Sequence, residues 1–157
     1  MPDDCRISRV TLDEGTIVRW NADIDHERKV AIFDLVDGNY FAPRGGNKGP
    51  FHLLLSIEER RLVLDIRSEK GDGIDRISLP LGAFRRIMRD YFAVCDSYFQ
   101  AIKTAPPSRI EAIDMGRKSL HDDGSKLLQE RLADKIEVDF PTARRLFTLL
   151  CVITLRG

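Results

Sequence analysis

Hydrophobic positions follow two different periods, and the change between them divides the chain. Phe51, Leu53, Leu55 and Ile57 alternate along one run, and Leu62, Leu64 and Ile66 along the next. A period of two marks a strand with one buried face. Glu58-Glu59-Arg60 separates these runs as a compact turn. Glu69-Lys70-Gly71-Asp72-Gly73 supplies a second turn, with glycines suited to positive φ. Ile74 to Leu79 can then return as a third strand. Connections this short imply antiparallel neighbours, because a parallel pair needs a long crossover.

From Pro80 the period becomes helical. Leu81, Phe84, Met88, Tyr91, Cys95, Tyr98 and Ile102 recur three and four apart, with Arg86, Arg89, Asp96, Gln100 and Lys103 on the other side. This predicts a long amphipathic helix that Pro106-Pro107 stops. Ser108-Arg109-Ile110-Glu111 reads as a capping box opening a helix to about His121. Asp122-Asp123-Gly124-Ser125 predicts a break or kink, followed by a further helix to about Asp134. Ile136 to Val138 reads as extended. Asp139 and Pro141 open a last helix with an apolar tail from Leu146 to Leu155.

Ahead of the meander, Cys5 to Leu12 predicts a strand and Asp23 to Val36 a helix. That helix is charged through Lys29 and apolar on almost every side afterwards, so it is expected to start in solvent and run into the core. Trp20, just before it, reads as a core cover or an interface anchor. Strands followed by helices, without regular alternation, predict an α+β fold. The expected architecture is an antiparallel β-meander packed against a mainly helical C-terminal half, with residues 1–157 as one domain.

Charge then narrows the function classes. Lys plus Arg and Asp plus Glu both number 25. A dedicated nucleic-acid binder shows a basic excess, so nucleic acid is disfavoured as a partner without being excluded. The N-terminus lacks an apolar signal core, and the longest apolar run is too short to cross a bilayer. The three cysteines, Cys5, Cys95 and Cys151, are far apart and odd in number. They read as reduced thiols in a cytoplasmic protein with no metal.

Five stretches together carry a family resemblance: His26 to Leu35, Leu62 to Arg67, Phe84 to Ile87, Ile110 to Arg117, and Lys135 to Val152. In combination they resemble the bacterial uncharacterised protein family 0262, over nearly the whole chain. The resemblance implies a small bacterial cytosolic protein. It implies no activity, cofactor or catalytic residue.

The residues themselves offer several constellations. Asp114, Arg117 and His121 lie at i, i+3 and i+7, on one helical face that Glu111 extends. There a carboxylate can orient an imidazole and a guanidinium can hold an anion. Asp25-His26-Glu27-Arg28 places a histidine near a helix start, although adjacent residues point to different sides and cannot converge on a metal. Arg44-Gly45-Gly46-Asn47-Lys48-Gly49 has the composition of a phosphate cradle but precedes a strand, so a loop is the expectation. Arg85, Arg86 and Arg89, with Arg144 and Arg145, could converge into a surface for an anion or a partner. His52 alternates away from the Phe51 face.

No Walker A, His-Glu-x-x-His, Gly-x-Ser-x-Gly or Rossmann pattern occurs, and no cofactor is implied. The first expectation is therefore a non-catalytic module that binds another protein or itself. A small enzyme acting on an anionic substrate is the second, with His121 or His26 as acid or base, Asp114 orienting, and Arg117 or Arg89 holding the anion. RNA or ribosome association through the arginine pairs is the third.

Overall fold

In the computed structural model, the described residues are 4–13 and 22–154, with the side chains of 22–25 left aside. Trp20 and the side chain of Asp25 therefore lie outside what the structure describes. Element order is β1 (Ile7–Leu12), α1 (Ala22–Asp37), β2 (Phe41–Pro43), β3 (Phe51–Glu58), β4 (Arg61–Ser68) and β5 (Gly73–Pro80). A 3-10 turn (Leu81–Ala83) then leads to α2 (Arg85–Thr104), α3 (Pro107–Leu132), β6 (Ile136–Val138) and α4 (Phe140–Thr154). The fold is α+β, and β3, β4 and β5 form the expected antiparallel meander. The Glu59 and Arg60 turn has φ of 52° and 63°, the doubly left-handed geometry that joins adjacent antiparallel strands. β1 adds parallel to β3, making the sheet mixed in the order β1-β3-β4-β5. The crossover that permits a parallel pair contains α1.

One sheet face supplies Phe51, Leu53, Leu55, Leu62, Leu64, Ile66, Ile77 and Leu79 to the core. α4 lies centrally against it and buries Leu146, Phe147, Leu149, Leu150 and Ile153. α1 and α3 flank α4, while α2 packs on α3. A short antiparallel pair, β2 with β6, ties residues 41–43 to 136–138.

Four sequence expectations need correction. First, α3 is continuous through Asp122 to Ser125. Gly124 is a close-packing position: a Cβ there would lie 2.5 Å from Cε1 of Phe147 on α4. Second, Ser108 does not cap α3. Pro106 is the N-cap with no side-chain bond, and Pro107, whose φ is already helical, starts the helix a residue early. Third, α1 does not run into the core. It lies along α4 and β1, so Ala31 and Leu35 are buried while Val30 and Phe33 remain 42% and 68% exposed. Fourth, the α2 stripe is buried only at its base. Phe84 and Met88 are covered, Cys95 and Tyr98 are half-buried, and Ile102 is exposed.

Asp139 does open α4, its carboxylate accepting from Thr142 N at 3.0 Å.

Candidate functional site

The sequence candidates meet only in part, around the junction of α1, α2, α3 and α4. On α3, Asp114 pairs with Arg117 at 2.5 Å and Lys118 at 3.2 Å. Hydrogen bonding from Lys118, then the Arg117 guanidinium, holds the Asp114 carboxyl below its ordinary value against partial desolvation. Arg117 also lies 4.1 Å over the Tyr98 ring, joining α3 to α2. Asp114 is thus engaged by cations and leaves His121 unaccompanied by a carboxylate on its ring.

His121 is held instead by aromatic rings and hydroxyls. Its ring stands 5.5 Å from that of Tyr91 and 5.2 Å from that of Phe147. Nε2 is 2.8 Å from Thr148 Oγ1, and Thr148 in turn donates to Arg144 O at 3.2 Å. Nδ1 is 3.5 Å from Ser125 Oγ, whose proton goes to the His121 carbonyl at 2.7 Å. Burial first, and Arg144 and Arg117 next, depress the imidazole to about 4, with Asp122 opposing. The ring is therefore neutral near pH 7 and a weak base. A Thr148–His121 pair resembles a nucleophile with its base only in distance, since the threonine proton is directed at a helix carbonyl.

His26 lies elsewhere, exposed on α1 at the rim of a cavity of about 310 Å³ between α1 and α4. Glu27, Val30, Ala31 and Asp34 line its α1 wall, and Arg145 and Thr148 its α4 wall. Thr148 is the link between this cavity and His121. Glu27 is open on one side, yet desolvation on the other raises its carboxyl, opposed by the charge of Arg117. Arg145 donates to Gly38 O at 2.7 Å and so satisfies a carbonyl just past the end of α1.

The arginine pairs do not converge. Arg85, Arg86 and Arg89 are exposed in the first turns of α2. That end of α2 meets the C-terminal end of α4, where Thr154 bonds Met88 Sδ. Arg144 and Arg145 stand near the opposite end of α4, about 14 Å away at 1.5 Å per residue. Arg144 is paired with Asp122 at 3.2 Å and Arg89 with Asp90 at 3.8 Å. In the Arg44 loop, the Arg44 side chain bonds Ala133 O. Gly49 there is required by packing, because a Cβ would lie 2.7 Å from the Phe51 ring.

Among the described residues, no group of three or more His, Cys, Asp or Glu side chains could hold a metal ion. Cys95 and Cys151 form no disulfide, and burial pushes both thiols up. No described helix is long and apolar enough to cross a membrane.

Sequence reasoning missed two features of the surface. The apolar run of α1 suggests core for Val30 and Phe33, yet His26, Val30, Phe33 and Asp37 are spaced four, three and four apart, which places them on one α1 face. Arg9, His52 and Arg67 align across three strands, a relation visible only once β1 is paired with β3.

The model of "Uncharacterised protein family (UPF0262)" matches residues 4–156, and the chain belongs to that family. A UPF0262 protein of Rhodopseudomonas palustris is 56% identical over 99% of this chain and 97% of its own length. One from Paramagnetospirillum magneticum is 51% identical with both chains fully covered. A third, from Nitrobacter winogradskyi, is 57% identical over 97% of this chain and 91% of its own. No solved structure matches.

Proposed function

We propose that the chain is a non-catalytic, cytosolic interaction module whose α1–α4 groove receives an amphipathic helix of a partner protein. The observation that carries this is Val30, exposed in the wall of the 310 Å³ cavity, with Phe33 exposed one turn further along α1 outside that lining. Full burial of such a side chain is worth about 1.5–3 kcal/mol, and here most of it is left unrealised for Phe33. Helix-in-groove recognition uses apolar anchors at this spacing, and the cavity has room for one branched or aromatic side chain from the partner.

Charge defines the partner further. Of the charged residues lining the cavity, Glu27 and Asp34 stand against Arg145. The rim carries a net negative charge, so a basic amphipathic helix is complementary. Support for the non-catalytic half of the reading is the neutral, ring-packed His121 and the cation-bound Asp114. Reduced thiols and the lack of a spanning helix among the described residues fit a cytosolic setting.

Fluorescence anisotropy with two model helices, each roughly 18 residues long and equally apolar, tests this directly. The basic-rimmed helix binds, and Phe33→Asp weakens it by about tenfold or more. Equal binding of an acidic-rimmed helix, no binding of either, or indifference to Phe33→Asp overturns the reading.

A further inference from the structure

The sheet face turned away from the helices carries a basic row that the groove does not use. Arg9 on β1 is opposite His52 on β3, and His52 is opposite Arg67 on β4. Strands are about 4.8 Å apart, so the two arginine backbones stand about 10 Å apart with the imidazole between them. Common facing is fixed by the bond of His52 Nε2 to Thr11 Oγ1 at 2.8 Å, since Thr11 lies two residues from Arg9. The core-facing residues of the same strands are Phe51, Leu53 and Ile66.

The balance of charge around this row is positive. Arg9 is exposed and forms no ion pair among the described residues. Arg67 pairs with Asp65 at 2.9 Å, and its side chain is 41% exposed. Two guanidinium groups thus face one carboxylate. Partial burial, then Arg9 and Arg67, lowers the His52 pKa, with Asp65 opposing. The imidazole is under cationic pressure that an arriving anion relieves.

We infer that the Arg9–His52–Arg67 row binds a phosphate group, as free phosphate or on a small phosphorylated ligand. The two guanidinium forks close on the anion from either side, a geometry suited to bidentate contact. Nε2 is engaged by the Thr11 hydroxyl, so Nδ1 is the ring nitrogen left to donate to a phosphate oxygen when it carries a proton. The anion then raises the His52 pKa, because an opposite charge favours the protonated ring.

Inorganic phosphate, titrated at constant ionic strength, is the probe, and the ring resonances of His52 followed by NMR are the readout. Saturable shifts of those resonances are expected, together with a rise in the His52 midpoint. Arg9→Gln and Arg67→Gln each weaken the phosphate affinity about tenfold. Phe33→Asp leaves the titration unchanged, which separates this site from the groove. The inference is overturned if chloride reproduces the shifts, if no saturable change appears, or if Arg9→Gln leaves the affinity as it was. A parallel titration with glycerol phosphate distinguishes a ligand-borne phosphate, which then binds more tightly, from free phosphate, which binds as well or better.

Discussion

The Phe147 ring of α4 occupies the space where a side chain on Gly124 of α3 would begin. Both residues are buried, so neither helix can move aside without opening the core. Helix propensity alone favours alanine over glycine by about 1 kcal/mol. Overpacking a filled core costs about 1–3 kcal/mol, and here the obstacle is a ring with no exposed end to swing away. Gly124→Ala is therefore expected to destabilise the fold, with a lower urea midpoint and an unchanged slope. A stabilised variant would mean that α3 and α4 are farther apart than described.

Caps give a paired prediction. Asp139→Ala removes the acceptor for Thr142 N and is expected to cost about 1 kcal/mol in equilibrium unfolding. Ser108→Ala removes no cap bond and stays within about 0.5 kcal/mol of the parent. Equal losses from both would restore the capping box that the sequence suggested.

His121 makes stability depend on acid. Its folded pKa is about 4, against an unfolded value near 6.5, chiefly because burial disfavours the charged ring. Between these values the unfolded chain binds more protons, so stability rises with pH. The contribution is complete above about pH 6.5 and is lost as pH falls toward 4, amounting to about 3 kcal/mol at most. Denaturant unfolding at pH 7 and pH 4.5 measures it, and the ring resonances give the midpoint directly. A His121 midpoint above 6 would contradict the packing of this ring between Tyr91 and Phe147.

Local pattern was enough for the meander and most helices. Alternation at Phe51 to Ile57 and Leu62 to Ile66 identifies strands because each buries one face against helices. Partner choice was less legible. Ile7 to Leu12 reads as a strand, but only the fold shows that it lies parallel to β3, and β2 is too short to announce itself before pairing with β6. Gly124 illustrates a second limit: glycine reads as a breaker until the opposing ring is known. Of the candidate site residues, Asp114 and Arg117 do meet, as their i, i+3 spacing suggested. His121 lies two turns further on, near enough in sequence pattern yet about 10 Å along the axis, and it turns toward α4 instead. The arginine pairs could not be placed from sequence, because which end of α4 meets α2 is a tertiary fact.

If the Phe33 face of α1 meets a partner helix, that helix can be trapped there. Replacing Phe33 with a photoreactive benzoyl-phenylalanine in living cells, with Met115 replaced as a second exposed site, tests it by the mapped adduct. One discrete adduct is expected from position 33, joined to a basic amphipathic helix of another protein, and none in common from position 115. No adduct at position 33, or the same adducts from both positions, would contradict it.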